Sequence, residues 1–103
     1  MRDTILYIIR TARASTFPLA NMQIKLGEEY GELCEAVNHH EGFLQHKVMK
    51  EPLVGEVADV INTVIGVLVR AYPDHTDEQL ADFLESQLIL KTRKWESIRA
   101  TIP

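Results

Sequence analysis

Cysteine is almost absent from this chain: Cys34 is the only one in 103 residues, so no intrachain disulfide can form. This excludes a disulfide-stapled scaffold and favours a reducing, cytoplasmic setting. Long hydrophobic runs are missing too, because the most apolar uncharged stretch, between Asp59 and Arg70, has about half the length of a membrane span. We therefore expect no export signal, no transmembrane segment and no membrane partner.

Positive charge is also scarce, with 11 Lys and Arg against 15 Asp and Glu and a net charge of −4. An acidic chain offers no electrostatic footprint for a nucleic acid polymer, and none is expected as a partner. The hydrophobic share of 46% and the charged share of 25% are typical of one globular domain, predicted over residues 1–103. The negative charge is concentrated in residues 26–60, where Lys47 and Lys50 are the only basic residues.

Four prolines and five glycines divide the chain into four stretches with helical periodicity. The predicted helices cover about residues 3–14, 21–40 and 52–70, and a fourth runs from a capping box at 76–79 to the end of the chain. The third is apolar around most of its circumference, which indicates the central helix. The sequence predicts an all-α, four-helix bundle-like protomer, assembled as a homodimer or homotetramer because one short chain cannot cover the third helix.

The second helix has an apolar stripe that we expect to face the core. It consists of Leu26, Tyr30, Leu33, Cys34 and Val37. Cys34 is interpreted as a small core residue rather than a nucleophile. Gly27 and Gly31 each lower helix stability by about 1 kcal/mol relative to Ala, so we expect them to allow another group to approach closely.

Two pairs of carboxylates stand three residues apart on the central helices. They are Glu29 with Glu32 on the second helix and Glu56 with Asp59 on the third. Carboxylates on a buried helix are costly unless a cation compensates them. If the two pairs face each other, four carboxylates converge, and Mg²⁺ or Mn²⁺ is the natural partner.

Other interpretations of these acidic residues stay open. A Glu-rich stripe is most often a solvated helix face, which is the expectation for Glu28 and Glu35. The same stripe could also bind a partner protein in a helical interaction protein that has no catalytic activity. A di-iron or di-manganese bundle would need Glu-x-x-His on two helices, and the sequence lacks that spacing.

The carboxylates belong to two short motifs. Residues 25–33 (KLGEEYGEL), followed by residues 55–60 (GEVADV), resemble the EExxE…ExxD signature of MazG-like, all-α nucleoside triphosphate pyrophosphohydrolases. The resemblance implies that an NTP or dNTP is hydrolysed to the monophosphate and pyrophosphate with Mg²⁺. It makes Glu29, Glu32, Glu56 and Asp59 the metal ligands, and Glu28, Glu29 or Glu32 the group that orients water.

The resemblance also implies substrate contacts. Asn21 resembles an asparagine at the mouth of the nucleotide pocket in some relatives, with an N-cap role as the equal alternative. Asn62 lies on the polar strip of the third helix and is a further candidate. Three basic residues near the end of the chain are candidates for phosphate binding, although cations in a last helical turn also complement the helix dipole. They are Lys91, Arg93 and Lys94.

One departure bears on the substrate. The related phosphoribosyl-ATP pyrophosphatases have a Tyr-His pair soon after the second motif, where this chain has Ile-Asn-Thr-Val at residues 61–64. Hydrolysis of phosphoribosyl-ATP is therefore the alternative, and the nucleoside triphosphate branch is favoured.

Overall fold

A computed structural model describes residues 1–42 and 52–101. They form four helices, α1 (Arg2–Arg13), α2 (Leu19–His40), α3 (Leu53–Ala71) and α4 (Asp77–Ala100), with no strand in these two ranges. The all-α prediction is confirmed. The bounds predicted for the first three helices and the start of the fourth agree with the structure to within two residues, and α4 ends at Ala100, before the predicted end at the chain terminus. No helix in the described ranges is long and apolar enough to cross a membrane.

Local sequence signals set several of the helix ends. The Thr76 hydroxyl accepts a hydrogen bond from the Gln79 backbone N–H at 3.1 Å, and the Gln79 side chain accepts one from the Thr76 N–H at 2.9 Å. This is the predicted capping box of α4. Just after the C-terminal end of α2, Gly42 adopts a φ of 92°, a value that favours glycine. Pro18 occupies the N-cap position of α2, so the cap role considered for Asn21 is wrong.

The fully buried apolar core lies where α1, α3 and α4 meet. It contains Ile5, Ile9, Ile65, Val69, Leu80 and Ala81. Helix α3 packs against both α1 and α2, and α4 packs against α1. Among the four described helices α3 has the most buried residues, as predicted, but it shares with α1 the position between two neighbouring helices.

Two arginines fasten the end of α1 to its neighbours. Arg13 donates to the Asp77 carboxylate at 3.0 Å and to the His75 carbonyl at 2.8 Å. Arg70, near the end of α3, donates to the Ala12 carbonyl at 2.5 Å and to the Ser15 carbonyl. The bonds of Arg70 satisfy carbonyls at and just after the C-terminal end of α1, where the helix itself supplies no donors.

The face that α2 buries differs from the prediction. Its buried residues are Glu29 and Ala36, whereas Tyr30 is 64% exposed and Cys34 is exposed as well. The core role predicted for Cys34 is therefore wrong for the protomer, because α2 turns its carboxylate-bearing side toward α3. Within the described part of the protomer no group approaches Gly27 or Gly31 closely, since a Cβ atom at either position would meet nothing within 4 Å.

Much apolar surface stays exposed in the protomer. On α3 it comprises Val54, Val57, Ile61 and Val64, and on α4 Phe83, Leu88, Ile89, Leu90, Trp95 and Ile98. Every residue from position 86 to 101 is exposed, so α4 extends well beyond the core. The radius of gyration is accordingly 16.2 Å, against about 13 Å for a compact domain of about 100 residues.

Candidate metal centre and substrate pocket

Helices α2 and α3 run antiparallel, and two contacts define their register. A Cβ atom on Gly66 would lie 2.5 Å from the Met22 methyl group, so the methionine is seated directly on the glycine. Farther along, carboxylate oxygens of Glu32 and Glu56 lie within 4.8 Å of each other. On both helices the two contacts are separated by ten residues, or about 15 Å of helix.

Three carboxylates converge at one end of this helix pair. One oxygen each from Glu29, Glu32 and Glu56 lies within 4.8 Å of the other two, and we call these residues the carboxylate cluster. Glu29 and Glu56 are buried, with 9% and 5% of their surface exposed, while Glu32 is exposed. Glu56 lies in the first turn of α3, where the positive end of the helix dipole stabilises an anion.

The two oxygens of Glu29 have different surroundings. Oε1 lies 3.3 Å from the Lys25 ammonium, whereas Oε2 is buried and has no hydrogen-bond partner among the described residues. A buried acceptor without a donor is costly, and a cation supplied from solution would remove that cost. Because every donor in the cluster is a carboxylate oxygen, the site suits Mg²⁺ or Mn²⁺.

Asp59, the fourth predicted ligand, is not brought into the cluster. It is half-buried on the turn after Glu56, and its carbonyl accepts a 2.8 Å hydrogen bond from the Thr63 hydroxyl. The structure thus joins three of the four predicted ligands and leaves Asp59 beside them on α3.

Two cavities lie along the same helix pair. The larger, of about 440 Å³, is formed by α1, α2 and α3. It is lined by Tyr7, Ile8, Thr11, Ala12, Ser15, Phe17, Met22, Lys25, Asn62, Thr63, Gly66 and Arg70. A second cavity of about 200 Å³ is lined by Phe17, Asn21, Met22, Ile24, Lys25 and Glu28. Phe17, Met22 and Lys25 line both, so the two cavities are neighbours, and we refer to them together as the recess.

Three residues predicted from the sequence therefore border this recess. Asn21 and Glu28 line the smaller cavity and Asn62 the larger one. Glu28 is exposed, as a solvated face requires, whereas Glu35 is half-buried and departs from that expectation. Lys25, which lines both cavities, was not predicted as a site residue, although its position four residues before Glu29 was a usable signal.

The basic residues of α4 lie elsewhere. Lys91, Arg93 and Lys94 are all exposed, and none lines either cavity. The last turn of α4 contains Arg99 instead, so the explanation of these three by the helix dipole is wrong. In the protomer they are not part of the site.

Residues 5–77 match the family model of phosphoribosyl-ATP pyrophosphohydrolase, over a span that includes both carboxylate motifs. The chain belongs to the phosphoribosyl-ATP pyrophosphohydrolase family. That family is part of the MazG-like all-α superfamily, so the resemblance seen in the motifs is confirmed. No curated protein and no solved structure matches the chain.

Membership makes the protein a pyrophosphohydrolase, a hydrolase that acts on an acid anhydride in a nucleotide-like substrate. Residues 61–64 disfavoured the phosphoribosyl-ATP branch, yet this branch supplies the family match.

Proposed function

We propose that this member of the phosphoribosyl-ATP pyrophosphohydrolase family is a Mg²⁺-dependent nucleoside triphosphate pyrophosphohydrolase. It would add water across the α–β phosphoanhydride of an NTP or dNTP and release the nucleoside monophosphate and pyrophosphate. The observation that carries the proposal is the carboxylate cluster next to a nucleoside-sized recess, with a buried Glu29 oxygen that has no hydrogen-bond partner among the described residues.

We assign metal binding to the carboxylate cluster, and Asp59 lies on the adjoining turn of α3. Glu29, Glu32 and Glu56 would hold Mg²⁺, or Mn²⁺ in its place. A bound divalent cation offsets the negative charge that develops on phosphoryl oxygens. Glu28 is exposed and lines the smaller cavity, where its carboxylate can orient water toward the substrate.

The nucleoside would occupy the larger cavity. Its volume of about 440 Å³ lies in the usual range for small-molecule sites, and its walls are mainly apolar. Tyr7 and Phe17 offer aromatic surface to a base, and Asn62 and Asn21 offer amide groups for hydrogen bonds. These residues come from α1, α2, α3 and the connection between α1 and α2.

Phosphoribosyl-ATP is a second candidate substrate, and the family match favours it. It carries an additional phosphate, which would need a further cation in the recess. Arg70 lines the larger cavity, but its guanidinium already donates to the Ala12 and Ser15 carbonyls. Lys25 is the other basic residue lining the recess, and this geometry favours the smaller nucleoside triphosphate.

A homodimer or homotetramer is part of the proposal. The exposed valines and isoleucine of α3 and the exposed apolar residues of α4 form surface that a second copy would cover. Lys91, Arg93 and Lys94 would then be available to the phosphates bound by a neighbouring protomer. Light scattering should give at least twice the 11.7 kDa chain mass, and Ile61→Asp should lower it. A concentration-independent monomer would refute this part.

The decisive assay is pyrophosphate release from a panel of NTPs, dNTPs and phosphoribosyl-ATP, with Mg²⁺ and with EDTA. We expect Mg²⁺-dependent release from a nucleoside triphosphate, and a loss of at least a hundredfold in Glu56→Gln. Glu96→Gln, which neutralises an exposed carboxylate on α4 outside the cluster, is the matched control. Release from phosphoribosyl-ATP alone would select the second candidate. No release and no effect of Mg²⁺ on melting would instead indicate an interaction protein without catalysis.

A further inference from the structure

The Lys25–Glu29 ion pair connects the carboxylate cluster to the recess. Lys25 Nζ lies 3.3 Å from Glu29 Oε1, and the lysine side chain is 53% exposed while that of Glu29 is 11% exposed. The solvated partner of the pair is thus the lysine, and the buried partner is the glutamate. A cation that binds the cluster through Glu29 therefore competes with Lys25 for this carboxylate.

Helix stability does not account for the pair. Lys25 precedes Glu29 by four residues, and this order is the less favourable one for an i,i+4 pair on a helix. An i,i+4 ion pair adds only a few tenths of a kcal/mol to the stability of the helix itself, roughly 0.2–0.5 kcal/mol. The lysine therefore has a role other than holding α2 together.

The position of Lys25 suggests that role. Its side chain lines both cavities, while its ammonium group contacts a residue of the carboxylate cluster. A nucleotide with its base in the larger cavity and its phosphates at the cluster would have to pass this ammonium group. A cationic group at that place complements the phosphate charge.

We propose that Lys25 exchanges partners during substrate binding, an inference that rests on the proposed metal-dependent function. In the metal-free protein Lys25 pairs with Oε1 of Glu29 and offsets part of the cost of burying this carboxylate, while Oε2 has no hydrogen-bond partner among the described residues. When the divalent cation and the nucleotide bind, the cation takes over Glu29 and the ammonium group of Lys25 turns to a phosphate oxygen. The exchange leaves both Lys25 and Glu29 with an oppositely charged partner in each state, and it involves no covalent step.

The test separates metal binding from nucleotide binding in Lys25→Met. Without nucleotide, titration calorimetry with Mn²⁺ should show binding that is tighter by roughly three- to tenfold, because a competing cation has been removed. In the hydrolysis assay, the KM for the nucleotide should rise by about tenfold with a smaller change in kcat. Lys25→Arg should stay near wild type in both measurements.

The control is Arg10→Met, which breaks the exposed Arg10–Glu78 ion pair on the other side of α1 and should change neither quantity. Mn²⁺ affinity that is unchanged or weaker in Lys25→Met, or an unchanged KM, would overturn the exchange while leaving the metal site intact. A wild-type protein that binds no Mn²⁺ would overturn the proposed function and this inference together. Circular dichroism checks that each variant is folded.

Discussion

Replacement of Glu32 by Gln should raise the melting temperature of the metal-free protein. Glu32 has an oxygen within 4.8 Å of oxygens of both Glu29 and Glu56, and it is the exposed member of the cluster. At that distance two like charges repel by about 0.9 kcal/mol in a water-like medium and about 3.5 kcal/mol at an effective dielectric constant of 20. The lower value applies to an exposed group, so the two pairs together give about 2 kcal/mol.

Salt screening roughly halves this repulsion at physiological ionic strength, which leaves about 1 kcal/mol. For a domain of this size, 1 kcal/mol corresponds to a rise of about 4 °C in Tm. The rise in Tm caused by Mg²⁺ should, in contrast, be larger in the wild type than in Glu32→Gln. At a hundred times its Kd, Mg²⁺ stabilises the wild type by about 2.7 kcal/mol, or about 10 °C, and Glu32→Gln should lose most of that increment with its ligand.

The assay is thermal unfolding followed by circular dichroism, in EDTA and across a Mg²⁺ titration, at one fixed protein concentration. Glu96→Gln removes one exposed carboxylate outside the cluster and should follow the wild type in both conditions. If Glu32→Gln melts at or below the wild type in EDTA and keeps the full Mg²⁺ increment, the three carboxylates neither repel one another nor share a cation.

Three further expectations concern stability. Leu80→Ala should cost about 3 kcal/mol in urea unfolding, because Leu80 is 1% exposed at the junction of α1, α3 and α4. Arg13→Met should cost about 2 kcal/mol in the same experiment, since it removes the bonds to Asp77 and to the His75 carbonyl. Gly31→Ala should raise protomer stability by about 1 kcal/mol in thermal melts, because its Cβ meets open space. A loss of stability in Gly31→Ala would instead place this glycine in a contact between copies.

The helices were predictable because their signals are local. The capping box at Thr76, the proline before α2 and the glycine after it depend on neighbouring residues only. The all-α fold followed from the same periodicity. The spacing of Glu29 and Glu32 also indicated correctly that both side chains would lie near each other on α2.

The face of α2 was not predictable in this way. An apolar stripe is expected to turn inward, yet Tyr30 and Val37 remain exposed while Glu29 is buried. Hydropathy alone does not register that a lysine one turn away, together with a cation from solution, can compensate a buried carboxylate. It also does not distinguish a surface that packs within one chain from a surface that a second copy covers.

The recess was hidden for a different reason. Tyr7, Phe17 and Asn62 come from three separate parts of the chain, and no spacing rule connects them. Only the packing of α1 on α3 and the seating of Met22 on Gly66 bring these walls together. Asp59 shows that spacing can also mislead. It stands three residues after Glu56, as the motif requires, and yet it does not join the cluster.

Two contacts join α2 to α3, Met22 with Gly66 and Glu32 with Glu56, and they are ten residues apart on both helices. This equal spacing limits where the chain can gain or lose a residue. An extra residue between Met22 and Glu32 would turn one of these side chains by about 100° around α2 and shift it by about 1.5 Å. The methionine would then leave Gly66, or the glutamate would leave Glu56. The same holds on α3 between positions 56 and 66. An insertion or deletion in either ten-residue span should therefore break one of the two contacts, even where it lies on the exposed side of a helix.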